Sequence, residues 1–238
     1  MITRIEWAGL THVGLVREHN EDNFFIDPEA NVGFVADGMG GHEAGEVASA
    51  LAVEVMKRSV ADAQNLDTGL VRAHRAILAH PRGGGWRGMG TTGVAVRIRG
   101  ADAEIAWVGD SRAYLWQDQV LYPLSKDHTP VQMMVDRGTI TAHQARSHPQ
   151  RNEITQALGA AYEDVVYPGS AQARLASGDV VLLCSDGLTE HLSDERIAQL
   201  LASGTRNLQA AAERLVEAAL DDGGSDNITV VLGKAIAF

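Results

Sequence analysis

The chain has 238 residues, 45% of them hydrophobic, and a net charge of −11 with a single cysteine, Cys184. This length and composition suit one large globular domain and exclude disorder, while the acidic balance argues against nucleic acids or anionic membranes as partners. One cysteine excludes an internal disulfide, and no apolar run suits a membrane span or a signal peptide, so we expect a cytoplasmic protein.

Short runs rich in β-branched and aromatic residues, bounded by Gly, Asp and Pro, predict strands along most of the chain. We expect these strands at residues 23–26, 32–36, 92–98, 103–108, 113–116, 120–122, 180–184 and 228–232.

Apolar residues at three- and four-residue spacing predict helices in two blocks. The first block starts at Ala44, and its apolar stripe consists of Ala44, Val47, Ala48, Leu51 and Val55. In the second block, near the C-terminus, Ser193 and Asn207 are candidate N-caps. Two helix pairs, each with one apolar face, predict an α+β fold: a four-layer α-β-β-α sandwich of two packed antiparallel sheets between the helices.

A polar segment at about 125–160 interrupts this pattern. It contains three histidines and two prolines, and residues 131–135 have helical character. We interpret it as a surface insertion that covers a site.

Acidic residues stand where several predicted strands begin or end. They are Glu21, Asp22, Asp37, Asp110, Asp186 and Asp226. A single Asp-Gly pair after a strand is more often part of a turn. Several strands, however, can bring such residues to one rim of the sheets. Carboxylates gathered there repel one another unless a cation compensates their charge. Oxygen ligands select Mg²⁺, Mn²⁺ or Ca²⁺, and the Gly38 carbonyl can approach closely because glycine lacks a side chain. Arg17 suits a phosphate, a carboxylate or a surface ion pair.

Six segments resemble, in order, the motifs of the metal-dependent Ser/Thr protein phosphatases of the protein phosphatase 2C family, in their bacterial form. They are residues 17–22, 36–42, 88–92, 108–112, 183–188 and 225–229. The resemblance covers nearly the whole chain and agrees with the four-layer fold. It implies a single phosphatase catalytic domain over 1–238, with a flap at about 125–160, that hydrolyses phosphoserine and phosphothreonine in proteins.

The resemblance also implies two or three Mn²⁺ or Mg²⁺ ions and a role for each site residue. Asp37 would bridge two ions, and a hydroxide that also bridges them would attack phosphorus in line. The other ligands it implies are Asp186 and Asp226 for the first ion, the Gly38 carbonyl with Glu21 and Asp22, directly or through water, for the second, and Asp110 with Asp186 for a third. Arg17 would clamp the phosphate.

The group that protonates the leaving alkoxide is open, because this chain has Met39 where animal-type relatives carry His. His42 and a metal-bound water are the candidates, and His42 is otherwise a residue at a helix start. The segment with His148, Arg151 and Asn152 resembles a flap motif of bacterial relatives, which indicates substrate contact or flap anchoring.

We expect a monomer whose partners are Ser/Thr-phosphorylated proteins, a cognate kinase and its substrates among them. An inactive binding module with this fold is one alternative, but it should have lost Arg17 or a metal-binding Asp, and all are present. A regulatory phosphatase for one small phosphoprotein is another, of a type that often carries a sensor domain or a membrane anchor; we recognise neither in these residues. Ser111 and Ser185 have no His nearby in sequence, so we expect them to support the site and not to act as nucleophiles.

Overall fold

The computed structural model describes residues 2–40, 44–80, 89–160 and 165–237. The strands are β1 (Ile2–His12), β2 (Asp22–Asp27), β3 (Val32–Met39), β4 (Gly90–Thr91), β5 (Gly93–Arg99), β6 (Asp102–Val108), β7 (Arg112–Gln117), β8 (Val120–Pro123), β9 (Gly169–Arg174), β10 (Val180–Cys184) and β11 (Ile228–Ala237). The helices are α1 (Ala44–Ala61), α2 (Leu66–Ala79), α3 (Pro130–Asp136), α4 (Ala142–Arg146), α5 (Asp186–Thr189), α6 (Asp194–Ala202) and α7 (Leu208–Asp221).

The described strands form two antiparallel sheets. One sheet has the order β1-β11-β10-β7-β8, and the other has the order β2-β3-β5-β6-β9 with the short β4 beside β3. Because side chains alternate between the two faces of a strand, neighbouring residues of one strand can pack against different layers of the fold. In β3, Val35 lies in the apolar cluster between the sheets, whereas Phe34 lies in the cluster under α1 and α2.

The second sheet follows the same rule. In β10, Leu183 belongs to the cluster between the sheets, and Leu182 belongs to the cluster shared with α6 and α7. The layers are therefore helix, sheet, sheet and helix, which confirms the predicted sandwich. None of the described helices combines the length and the apolar character needed to cross a membrane.

The predicted helix signals are largely correct. Ser193 and Asn207 cap α6 and α7, where their side chains accept hydrogen bonds from the backbone N–H of Arg196 at 3.2 Å and of Ala210 at 3.1 Å. The apolar stripe predicted for α1 is partly correct. Ala44 and Ala48 of that stripe are buried together with Ala52 and Met56, while Val47, Leu51 and Val55 are partly buried beside them.

Besides the two-residue β4, the strands β1 and β9 were not predicted, and both lie at sheet edges. β1 and β9 each pair with one neighbour only within the described residues, and polar side chains occupy many of their positions. The edge strands β2 and β8 were predicted, so the difference lies in the polar residues that interrupt the apolar pattern of β1 and β9. The segment at 125–160 contains α3, close to the predicted helical residues, and also α4, which was not predicted.

The packing of α7 on its sheet gives a stability prediction. Leu215 is fully buried in the cluster between α7 and the sheet. Leu215→Ala should lower the free energy of unfolding by about 2–5 kcal/mol, because it removes buried methyl groups and leaves a cavity. Val120→Ala is the matched control: Val120 is 46% exposed, so its truncation should cost no more than about 0.5 kcal/mol. Urea unfolding measures the free energy of unfolding of both variants. Equal decreases in the two variants would contradict the packing of α7 on its sheet.

Candidate active site

Strand pairing brings the acidic residues to one end of the two sheets. Asp22 on β2 lies opposite Asp37 on β3 in the strand register. In the other sheet, Asp186 follows β10 and Asp226 precedes β11, and these two strands pair. Asp110 lies in the short connection from β6 to β7. The sequence-predicted carboxyl groups therefore come from both sheets to one rim.

Asp37 and Asp186 are at the centre of this rim. Their side chains lie close enough across the two sheets for each to affect the pKa of the other. Burial raises the pKa of both carboxyl groups well above the ordinary value, and repulsion from neighbouring carboxylates, Asp110 among them, raises it further. Protonation or a bound cation relieves such repulsion.

Asp22 is the most buried of the acidic residues at this rim, at 7% exposure. Its Oδ2 accepts hydrogen bonds from Ser185 Oγ at 2.7 Å and Thr229 Oγ1 at 2.6 Å. Its Oδ1 is buried and has no hydrogen-bond partner among the described residues. Burial is the main reason that the pKa of Asp22 rises to about 6. An unpartnered buried carboxylate oxygen is costly, and a bound cation would compensate it.

Arg17 and Asp226 pair with each other at the open side of the rim. The guanidinium NH2 of Arg17 lies 2.7 Å from Asp226 Oδ2, and the Arg17 side chain is 56% exposed. The hydrogen bond and the charge of Asp226 raise the pKa of Arg17, so this residue stays cationic. Arg17 thus lies where an incoming anion would meet a fixed positive charge.

The backbone of Asp37 is held by the predicted motif at residues 88–92. The Asp37 carbonyl accepts hydrogen bonds from Thr92 N–H at 2.8 Å and from Thr91 Oγ1 at 2.8 Å. Thr92 Oγ1 accepts from Asp37 N–H at 3.1 Å and lies 2.6 Å from Ser111 Oγ. Ser111 and Ser185 are therefore supporting residues in this structure, as predicted.

Gly38 and Gly45 permit the close approach of β3, α1 and Glu21. A Cβ atom at Gly38 would lie 2.3 Å from the Gly45 carbonyl oxygen and 2.5 Å from that of Glu21. A Cβ at Gly45 would lie 2.7 Å from Glu21 Oε2. Burial also raises the pKa of Glu21, while Arg17 opposes that shift. Glycine is therefore required at both positions for Glu21 to lie beside Gly38.

Asp110 has two acidic neighbours that the sequence did not identify. Its pKa rises to about 6, first through burial and then through the charge of Asp127, while Arg112 opposes the shift. Glu190 repels both Asp110 and Asp186. Arg112 binds Asp127 with NH2 at 2.6 Å from Oδ2 and Nε at 2.9 Å from Oδ1. The one sequence signal for such a carboxylate partner was Arg112, which directly follows Asp110-Ser111. In the structure Arg112 is partly buried, and a buried arginine needs an acidic partner.

The structure places only some of the predicted flap residues beside the carboxylates. Arg151 and Asn152 line a cavity of about 540 Å³ whose wall also includes Asp110 and Asp186. His148 is not among the residues that line it, and its Nδ1 accepts a hydrogen bond from Gln150 N–H at 3.2 Å. His42 lies outside the described residues.

The donor set fits a hard divalent cation. The described residues contain no group of three His, Cys, Asp or Glu side chains already arranged around a metal position. Instead Asp226 pairs with Arg17, and Asp22 accepts hydrogen bonds from Ser185 and Thr229. The all-oxygen donors and the unpartnered Asp22 Oδ1 nevertheless suit Mg²⁺ or Mn²⁺. Cation binding would relieve the repulsion that this arrangement creates.

Comparison with known proteins gives consistent matches. A sequence profile described as protein phosphatase 2C matches residues 15–222. The chain is 36% identical to the serine/threonine phosphatase stp of Listeria monocytogenes, over 93% of this chain and 92% of that protein. It is 39% identical to the serine/threonine protein phosphatase PstP of Mycobacterium tuberculosis over 98% of this chain, but it spans only 46% of the length of that relative.

Solved structures agree with these matches. The Mycobacterium tuberculosis phosphatase PstP/Ppp superposes with a TM-score of 0.90 at 38% identity, covering 99% of this chain and 100% of that one. The catalytic domain of PstP in complex with two manganese ions superposes with a TM-score of 0.86 at 36% identity, covering 98% and 99% of the two chains.

The raised pKa of Asp22 gives a pH-dependent prediction for the metal-free protein. The folded chain holds this proton with a pKa of about 6, against an ordinary 3.8. The contribution of Asp22 to stability is therefore greatest below pH 4, falls as pH rises to about 6, and is constant above that. Asparagine does not titrate, so the stability of Asp22→Asn relative to wild type should increase by roughly 1–3 kcal/mol from pH 4 to pH 7.

Urea unfolding of metal-stripped protein at several pH values measures this difference. Asp102→Asn is the control, because Asp102 is exposed at the start of β6 and its substitution should give a flat difference. If the free energy of unfolding of Asp22→Asn relative to wild type stays constant or decreases between pH 4 and pH 7, the described burial of Asp22 is wrong.

Proposed function

Because the chain belongs to the protein phosphatase 2C family, we propose that it is a metal-dependent protein serine/threonine phosphatase that hydrolyses phosphoserine and phosphothreonine. One observation supports this most directly. Asp22, Asp37 and Asp186, from both sheets, meet at one rim, where their pKa values are raised and Asp22 Oδ1 has no partner among the described residues.

Two divalent ions, Mn²⁺ or Mg²⁺, are the proposed cofactors, with a third at the edge of the site. The residues proposed to hold them are Glu21, Asp22, Asp37, the Gly38 carbonyl, Asp110, Asp186 and Asp226. When bound, the ions would supply the nucleophile by lowering the pKa of a water shared between them, and would neutralise charge on the phosphoryl oxygens. Two manganese ions in the PstP relative support this assignment.

Arg17 is proposed to bind the phosphoryl group. Its planar guanidinium can donate two parallel hydrogen bonds to phosphate oxygens, and these bonds orient the phosphorus for in-line attack. The pairing of Arg17 with Asp226 at 2.7 Å fixes that guanidinium at the edge of the carboxylate rim. Arg17 would therefore stabilise charge on the same oxygens that face the cations.

His42 stays a prediction as the donor of a proton to the leaving alkoxide, with water as the alternative. In the sequence it stands between β3, which carries Asp37, and α1. A phenyl phosphate ester with a good leaving group needs little proton donation, whereas a phosphothreonine peptide needs more. Loss of activity in His42→Ala on the peptide alone would support the assignment.

Phosphorylated proteins are the proposed substrates, and a cognate kinase and its targets are the proposed partners. The cavity of about 540 Å³ between the carboxylate rim and the flap can take the chain on one side of a phosphorylated residue. Arg151 and Asn152 on its wall are the flap residues proposed to contact that chain. A single domain, a monomeric state and a cytoplasmic location also stay predictions.

The proposed chemistry predicts the effect of removing charge from the rim. Asp37→Asn and Asp186→Asn should each lower kcat by roughly 10³-fold or more, since each removes charge that holds the cations. Turnover of para-nitrophenyl phosphate and of a phosphothreonine peptide is measured at saturating Mn²⁺. Both variants should remain folded by circular dichroism, and Asp102→Asn should keep wild-type activity. Full turnover in excess EDTA, or wild-type rates in either rim variant, would refute the proposal.

Asp110 gives a prediction for the edge of the site. Asp110→Asn should reduce bound Mn²⁺ by about one ion per chain and leave the ions at Asp37 in place, because Asp110 serves only the third position. Equilibrium dialysis with metal analysis counts the ions in wild type and variant. Unchanged occupancy in the variant would remove Asp110 from the ligands.

A further inference from the structure

Arg17 lies in an exposed loop that has little packing of its own. Residues 15–19 of this loop, between β1 and β2, are all exposed. The loop begins at Gly14, whose φ is +83° and whose Cβ, if present, would lie 2.2 Å from the Asp226 carbonyl oxygen. A loop with exposed side chains takes a fixed position only if its backbone is hydrogen-bonded to the rest of the fold.

One buried side chain supplies hydrogen bonds at both ends of this loop. Asn227 is 6% exposed, and its Nδ2 donates to the carbonyl of Val13 at 2.8 Å and to that of His19 at 2.9 Å. Its Oδ1 accepts from Glu21 N–H at 2.8 Å. Both amide hydrogens and the amide oxygen are therefore used on three loop positions.

Asn227 also adjoins the residue that Arg17 contacts. The backbone N–H of Asn227 donates to Asp226 Oδ1 at 2.8 Å, while Arg17 binds the other oxygen, Oδ2, at 2.7 Å. The side chain of Asn227 fixes the loop, and its backbone fixes the carboxylate to which the loop residue is paired. The phosphate-binding and metal-binding parts of the rim are thus held by neighbouring atoms of one residue.

We propose that Asn227 is a positioning residue that closes the loop at residues 13–21 and so presents Arg17 to the phosphoryl group. This inference rests on the proposed function only for the identity of the anion. The loop closure itself is a property of the fold that can be measured without turnover. Asn227 has no assigned contact with phosphate or metal, so its proposed effect on phosphate binding is through the position of Arg17.

Substitution of Asn227 by Ala or by Asp changes its side-chain hydrogen bonds in different ways. Asn227→Ala removes all three side-chain hydrogen bonds and keeps the backbone bond to Asp226. Asn227→Asp keeps an acceptor for Glu21 N–H but places a carboxylate oxygen against the carbonyl oxygens of Val13 and His19. Since two acceptors repel each other, Asn227→Asp should loosen the loop at least as much as Asn227→Ala.

The test is a double-variant comparison at saturating Mn²⁺. Asn227→Ala should raise the KM for para-nitrophenyl phosphate and the Kd for inorganic phosphate by roughly 10-fold, because a displaced guanidinium loses its hydrogen-bond geometry. In an Arg17→Ala background the same substitution should change either constant by less than about twofold. Asn207→Ala, which removes the α7 cap far from the site, is the control and should leave both constants unchanged.

Hydrogen exchange supplies the readout that does not depend on activity. In Asn227→Ala the amide of Glu21 should exchange faster, and in Asn207→Ala it should not. Equal effects of Asn227→Ala with and without Arg17 would overturn the inference, as would unchanged exchange at Glu21. A wild-type chain that turns over no phosphate ester would refute the proposed function, while the exchange result would still decide whether Asn227 closes the loop.

Discussion

Mutual repulsion of buried carboxyl groups is the constraint on which this structure depends. Asp22 and Asp37 lie on neighbouring strands of one sheet, and Asp186 comes from the other sheet. Burial and repulsion raise their pKa values, so the metal-free arrangement stores a cost that the rest of the fold must offset. A fold that keeps such groups together gains when a divalent cation binds, because the cation removes both the repulsion and the unpartnered oxygen.

The surrounding structure serves to hold these groups in place. The apolar cluster between the sheets fixes the strand ends, with Val35 and Leu183 contributed by the two strands that lead to Asp37 and Asp186. Hydroxyl groups then fix individual oxygens, as Ser185 and Thr229 do for Asp22. Asn227 extends the same support to the loop that carries Arg17. The core packing therefore holds the carboxylates, and the hydrogen bonds around them hold the loop with Arg17.

The sequence predicted the central strands and the carboxylates, because both leave local patterns: apolar runs, and Asp directly after them. β1 and β9 were missed because polar residues interrupt their apolar pattern. In α1 the predicted stripe included the buried Ala44 and Ala48 but missed Ala52 and Met56, which lie on the same buried face. The neighbours of Asp110, namely Asp127 and Glu190, are distant in sequence, and only the folded chain brings them there. The hydrogen bonds of Asn227 likewise span more than 200 positions, so no local pattern could reveal them.

The central claim is that the carboxylate rim is a binuclear metal site built around Asp37. The most direct measurement is the anomalous difference density of a crystal soaked in Mn²⁺. We expect two strong peaks that share Asp37 as a ligand, with Asp186 and Asp226 on the first ion and the Gly38 carbonyl on the second. Absence of density between Asp37 and Asp186 at saturating Mn²⁺ would show that the rim is not a metal site.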